Sequence, residues 1–69
     1  MMENKQVQFI KQVQIIRNYL RKAAPDELTY IAQNLDISRQ SLYNYKNQGP
    51  KSRSLVHLLL VDYLDLYDL

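Results

Sequence analysis

Cysteine is absent from this 69-residue chain, which rules out disulfides and thiolate metal sites. Nothing in its residue usage points to an oxidising compartment. Glycine occurs once and proline twice, so few turns are expected and the segments between them should be helices. No stretch alternates apolar and polar residues between turn signals, which predicts no sheet. The longest apolar run, Leu58 to Val61, is far too short to span a membrane, and no signal peptide is legible. Internal repeats, low-complexity segments, a Gly-rich phosphate loop and metal-ligand spacing are all missing. No nucleophile has a base at hand. Asp26, Glu27 and Asp36 make no acid-base pair, since Asp26 and Asp36 serve better as cap and turn residues. The expectation is a cytoplasmic protein that is not an enzyme, needs no cofactor or metal, binds no small molecule and touches no membrane.

Helical periodicity is what the chain does have. Its length allows one domain, spanning 1–69, and a hydrophobic content of 46% is that of a globular chain rather than a disordered one. From about residue 5 to 23, Phe9, Val13, Ile16 and Leu20 share one helical face, with Val7, Ile10 and Tyr19 beside them. Gln6, Lys11, Gln12, Gln14 and Arg17 are helix formers suited to the opposite side. Ala23-Ala24-Pro25 ends this helix, because proline drives the residue before it out of helical geometry.

Residues 25–50, PDELTYIAQNLDISRQSLYNYKNQGP, read as two short helices joined by a tight turn. Asp26 is placed to cap the first, which carries Leu28, Ile31, Ala32 and Leu35 on one face. Asp36 tolerates a left-handed backbone, so a sharp turn is expected across Leu35-Asp36-Ile37-Ser38, with Ile37 inserted between the helices. Ser38 is a good N-cap for the second helix, and Gly49-Pro50 stops it. Leu42 and Tyr45 face inward, and the small Ala32 lets the two axes cross closely. That leaves Arg39, Gln40, Tyr43, Asn44 and Asn47 facing outward, a face whose composition fits either plain solvation or base reading; together with Ser38 they are the expected base-reading set. Arg suits guanine edges, and Asn and Gln suit adenine edges.

Charge segregates along the chain in the same sense. Residues 1–25 carry +4, 26–36 carry −3, 37–53 carry +4 and 54–69 carry −3, on a total of +2. Segment 37–53 holds Arg39, Lys46, Lys51 and Arg53 and no acid, the footprint of a surface that meets a phosphate backbone. Thr29, Lys46, Lys51 and Arg53 are the expected phosphate contacts.

Ile31-Ala32, Leu35, Ile37, Ser38, Leu42, Tyr45 and Gly49-Pro50 together resemble the helix-turn-helix of the Cro and phage-repressor superfamily. Asp36 stands where that family commonly has Gly, and Leu28 where it commonly has a polar phosphate-binding residue. The resemblance implies a compact all-α, four-helix domain with a helix-turn-helix over about 26–48. It further implies a transcriptional regulator, a repressor, that binds a palindromic operator in double-stranded DNA as a homodimer, with helix 39–47 in the major groove. Proteins of this kind are encoded by phages, plasmids or bacterial operons, which places the expected location at the bacterial nucleoid.

A last helix is expected over about 53–67, capped by Ser52 or Ser54. Leu55, Leu58, Leu59 and Asp62 share one of its faces; Val56, Leu60, Tyr63, Leu64 and Tyr67 share another. A domain this small hides only one. Val56, Leu60, Tyr63, Leu64 and Tyr67 are therefore expected to meet the same helix of a second subunit. His57 reads as a core or interface residue, and Tyr19, Tyr30, Tyr63 and Tyr67 as packing residues. The alternative is a protein-interaction module on the same scaffold, such as a phage-encoded inhibitor of a host protein, with the apolar last helix as its working surface.

Overall fold

The computed structural model describes residues 4–69. Among them are four α-helices and no strand: α1 (Asn4–Lys22), α2 (Pro25–Leu35), α3 (Arg39–Asn47) and α4 (Leu55–Leu64). α1 packs against both α3 and α4, and α2 packs against α3. Ile16 and Leu20 of α1, Leu28, Ile31 and Ala32 of α2, Leu42 and Tyr45 of α3, and Leu60 and Val61 of α4 form one buried cluster. No helix among the described residues is long and apolar enough to cross a membrane.

The joints between helices follow from local chemistry. Ala24 is extended, with ψ 158, and Pro25 opens α2 at a position where a missing N–H costs nothing. Asp26 is not the cap expected from the sequence. It lies inside the first turn beside Glu27, where a negative charge favours the helix N-terminus without a capping bond. α2 ends at Asp36, whose φ of 56 is left-handed. The Asp36 N–H reaches the Gln33 carbonyl at 3.2 Å and the Ile37 N–H reaches the Ala32 carbonyl at 3.0 Å. This is the Schellman pattern, and it turns Ile37 back onto the core. Ser38 is extended and its hydroxyl accepts from the Ser41 N–H at 3.1 Å, a cap contributing about 1 kcal/mol to α3.

One expected boundary moves, and one expected division of faces changes. α4 begins after Ser54, which caps it, but ends at Leu64 rather than near Tyr67. Asp65 is left-handed with φ 56, and the Leu66 N–H bonds the Val61 carbonyl at 2.9 Å, repeating the joint that ends α2. The segment after Leu64 therefore folds back, and Leu66 packs against the core. α1 also departs from the expected division of faces. Phe9, Ile16 and Leu20 are buried, as read, but so is Gln12, while Val7 and Ile10 are exposed. α1 is covered by α3 and by α4, and the stripe they bury takes in Gln12 while leaving the apolar Val7, Ile10 and Ile15 outside it.

Candidate functional site

Leu42 is fully buried and Tyr45 is 4% exposed, so the opposite side of α3 faces solvent. Ser38, Arg39, Gln40, Asn44 and Asn47 all stand exposed there, as the sequence predicts. Tyr43 is half-buried, and its ring carries two cations. Lys46 Nζ lies 4.7 Å and the Arg39 guanidinium 5.4 Å from its centre. Arg39 Nη2 also donates to the Tyr43 hydroxyl at 2.9 Å. One turn along, Gln40 Nε2 donates to Asn44 Oδ1 at 2.9 Å. Four of the six outward side chains are thus paired, and cation–π contact with Tyr43 helps to hold Arg39 and Lys46 in place.

The expected phosphate contacts divide. Lys51 is exposed in the loop between α3 and α4, and Lys46 lies at the C-terminal end of α3. Thr29 is half-buried and its hydroxyl donates to the Pro25 carbonyl at 3.1 Å, one turn back in its own helix. Arg53 is exposed but also tied to its own chain. Its guanidinium donates to the Lys5 carbonyl and lies 5.1 Å from the centre of the Phe9 ring, so it fastens the loop to the start of α1.

The expected subunit contact must also be corrected. Leu60 is 1% exposed and belongs to the domain's own core, with Val56, Tyr63 and Leu64 packed against it. Of the five residues assigned to that contact Val56, Tyr63 and Leu64 are half-buried, and Tyr67, at 54% exposure, is the most open. The uncovered face of α4 is the other one, where Leu55 is 70% and Leu58 49% exposed. Both faces are apolar, and the periodicity that separates them does not say which one meets α1. Tyr30, read as a packing residue, is 61% exposed.

Behind α3 runs a buried chain of hydrogen bonds that the sequence reading missed. The Tyr45 hydroxyl lies 2.7 Å from His57 Nδ1, and His57 Nε2 lies 3.1 Å from Gln12 Oε1. Gln12 Nε2 in turn donates to the Leu66 carbonyl at 2.9 Å. The carbonyl at the end sets every direction. It can only accept, so the Gln12 amide nitrogen points at it and the Gln12 oxygen points at His57. His57 is then protonated on Nε2, and its bare Nδ1 accepts from Tyr45. Burial, and secondarily the Arg53 guanidinium, hold His57 below the ordinary imidazole range; burial pushes the Tyr45 hydroxyl up. Among the described residues no buried side-chain polar atom is left without a partner.

Arg17, also placed on the exposed side by its composition, is half-buried and closes the other end of α3. Its Nε donates to the Lys46 carbonyl at 3.0 Å and its Nη2 to the Asn47 carbonyl at 2.9 Å, two acceptors that the helix end leaves without intrahelical partners. Gly49 follows with φ +76, and a Cβ there would come within 3.3 Å of Arg17 Cδ. Glycine therefore satisfies both the stop and the close approach of α1. A signal for both missed residues was present. Gln12 falls three after Phe9 and four before Ile16, and Arg17 four after Val13 and three before Leu20, so each lies on the apolar stripe. No protein family, curated protein or solved structure matches the chain.

Proposed function

We propose that this protein is a sequence-specific, double-stranded-DNA-binding transcriptional regulator, a repressor, in which α2 and α3 form a helix-turn-helix and α3 enters the major groove. The observation that carries this reading is the orientation of α3. Tyr45 and Leu42 anchor one side, while Arg39, Gln40, Asn44 and Asn47 stand in solvent on the other. The left-handed turn at Asp36 sets α3 against α2, and the segment that follows carries cations and no acid. The lone histidine supports a binding role over a catalytic one, because it is sealed in the core with both ring nitrogens occupied. Arg39→Ala should cost about 1–3 kcal/mol on a cognate site and relax discrimination there, whereas Lys51→Ala should weaken all sequences alike. Titrations of selected and random duplexes separate the two; equal losses on both for Arg39→Ala would count against base readout.

The protein acts as a homodimer, with two reading helices roughly 34 Å apart on a palindrome. The face that suits this contact is the uncovered one, Leu55, Leu58 and the half-buried Leu59, since burial removes apolar side chains from water in both subunits at once. Light scattering at tens of micromolar should show a dimer, and Leu58→Asp should return it to monomer. A wild-type protein that stays monomeric there removes the dimer.

A second reading gives the same exposed Leu55 and Leu58 to a partner protein and leaves α3 idle. Salt decides between them. DNA affinity that falls steeply as salt rises supports the first, because phosphate contacts release counterions. Absence of duplex binding at low salt supports the second.

A further inference from the structure

The segment that follows α4 is fastened to α1 through its main chain. Gln8 Nε2 donates to the Tyr67 carbonyl at 2.8 Å, and Gln12 Nε2, one helical turn on, donates to the Leu66 carbonyl at 2.9 Å. The Leu66 side chain packs on the core, and the Tyr67 hydroxyl donates to Asp62 Oδ1 at 2.8 Å. Residues 65–69 thus form a strap laid against one side of α1. Its two glutamine grips differ. Gln8 is half-buried and ends the contact at the surface, whereas Gln12 is buried and continues inward to His57 and Tyr45.

The strap sets the direction of that inward chain. The Leu66 carbonyl only accepts, which orients the Gln12 amide, puts the His57 proton on Nε2 and makes Nδ1 the acceptor for Tyr45. With the strap lifted, water replaces the carbonyl and serves either end of the Gln12 amide, so the amide is free to turn over. His57 can then carry its proton on Nδ1. Against a protonated Nδ1 the Tyr45 hydroxyl must accept, and its own hydrogen is left inside the core. That hydroxyl makes no other hydrogen bond among the described residues, so α3 loses a bond from its anchor. We propose that segment 65–69 is a conformational strap for α3: seated on α1 it selects the His57 tautomer that anchors Tyr45, and lifted it loosens the C-terminal half of α3. The device acts on α3 whatever that helix binds, so its test is separate from that of DNA binding.

Two variants of the full chain test this, neither altering Gln12, His57 or Tyr45. Leu66→Asp favours the lifted strap by placing a charge where leucine meets the core. Gln8→Ala combined with Tyr67→Phe weakens only the outer grips and keeps the test open should Leu66→Asp fail to fold. The measurements are the imidazole nitrogen resonances, at about pH 8 where the ring is neutral, and amide hydrogen exchange. Wild type should show His57 protonated on Nε2, and Leu66→Asp should shift the resonances toward the Nδ1-protonated form. In the double variant the Leu66 amide, bonded to the Val61 carbonyl, should exchange about fivefold faster, the change in open population that one net hydrogen bond supplies. The amides around Tyr45 should follow by a similar factor while those of α2 keep their wild-type rates. A wild-type proton on Nδ1 overturns the proposal, as does a loosened strap that leaves α3 and the tautomer unchanged. One common acceleration of every slow amide also overturns it, since that is global unfolding. So does an unchanged Leu66 amide in the double variant, because these grips would then not seat the strap.

Discussion

Leu42→Ala is expected to lower the stability of the fold by about 2–5 kcal/mol, the cost of emptying a fully enclosed leucine site that cannot collapse around the gap. Leu42 has no exposed surface, and it joins α3 to a core built from all four helices. A chain of 69 residues has roughly 3–10 kcal/mol of total stability, so this one change removes a large share and can leave much of the protein unfolded. Urea titrations followed by helical circular dichroism provide the measurement, with Arg39→Ala as the exposed control on the same helix. If Leu42→Ala and the control have the same midpoint, Leu42 does not hold α3 in place and its outward face is not fixed.

Mild acid is the second strong lever, and its target is His57. The imidazole is fully buried, with Tyr45 facing it from α3, Gln12 and Phe9 from α1, and the Arg53 guanidinium from the preceding loop. No carboxylate is among these neighbours to offset a charge. Its folded-state pKa is lowered, so the unfolded chain binds the proton more readily than the native one. The stability linked to this group is fully present above about pH 6.5 and is lost as pH falls from there through the folded-state value, at up to about 1.4 kcal/mol per pH unit. The expected observation is a denaturation midpoint that declines from pH 7 toward 5, before most carboxylates titrate, and a His57→Gln variant that lacks this decline. An identical slope in the variant would assign the effect elsewhere. At the alkaline end the sign reverses. The Tyr19 hydroxyl, donating to Glu27 at 2.5 Å, is pushed up to about 12, mainly by that bond. Stability linked to Tyr19 is present below about pH 10 and is lost as pH rises through the folded-state value.

The same groups show how far the fold could be read in advance. Asp36 between Leu35 and Ile37 was legible as a left-handed joint, because a short polar side chain followed by an apolar one suits a Schellman ending. The chain repeats that signal at Leu64-Asp65-Leu66, and there it marks the true end of α4. An apolar run such as Leu58 to Val61 hid it, since continued hydrophobicity reads as continued helix. Gln12 and Arg17 were misplaced for a different reason. Glutamine and arginine are good formers of exposed helix, and what they bond is carbonyl oxygen of the main chain, which no side-chain pattern displays.

The sequence alone determined the helices, the tight joint between α2 and α3, the Ser38 cap and the division of α3 into an anchored side and a solvent side. Each of these depends on residues within a few positions of one another, where capping, backbone preference and helical periodicity act. Tertiary structure alone decided which apolar face of α4 is covered, that Arg53 fastens to α1, and that Tyr45, His57, Gln12 and the Leu66 carbonyl form one buried chain. Those outcomes join residues up to 54 positions apart, as Gln12 and Leu66 are. At that separation partners are chosen by the packing of whole helices, and only then does a buried polar group find the acceptor that makes its burial tolerable.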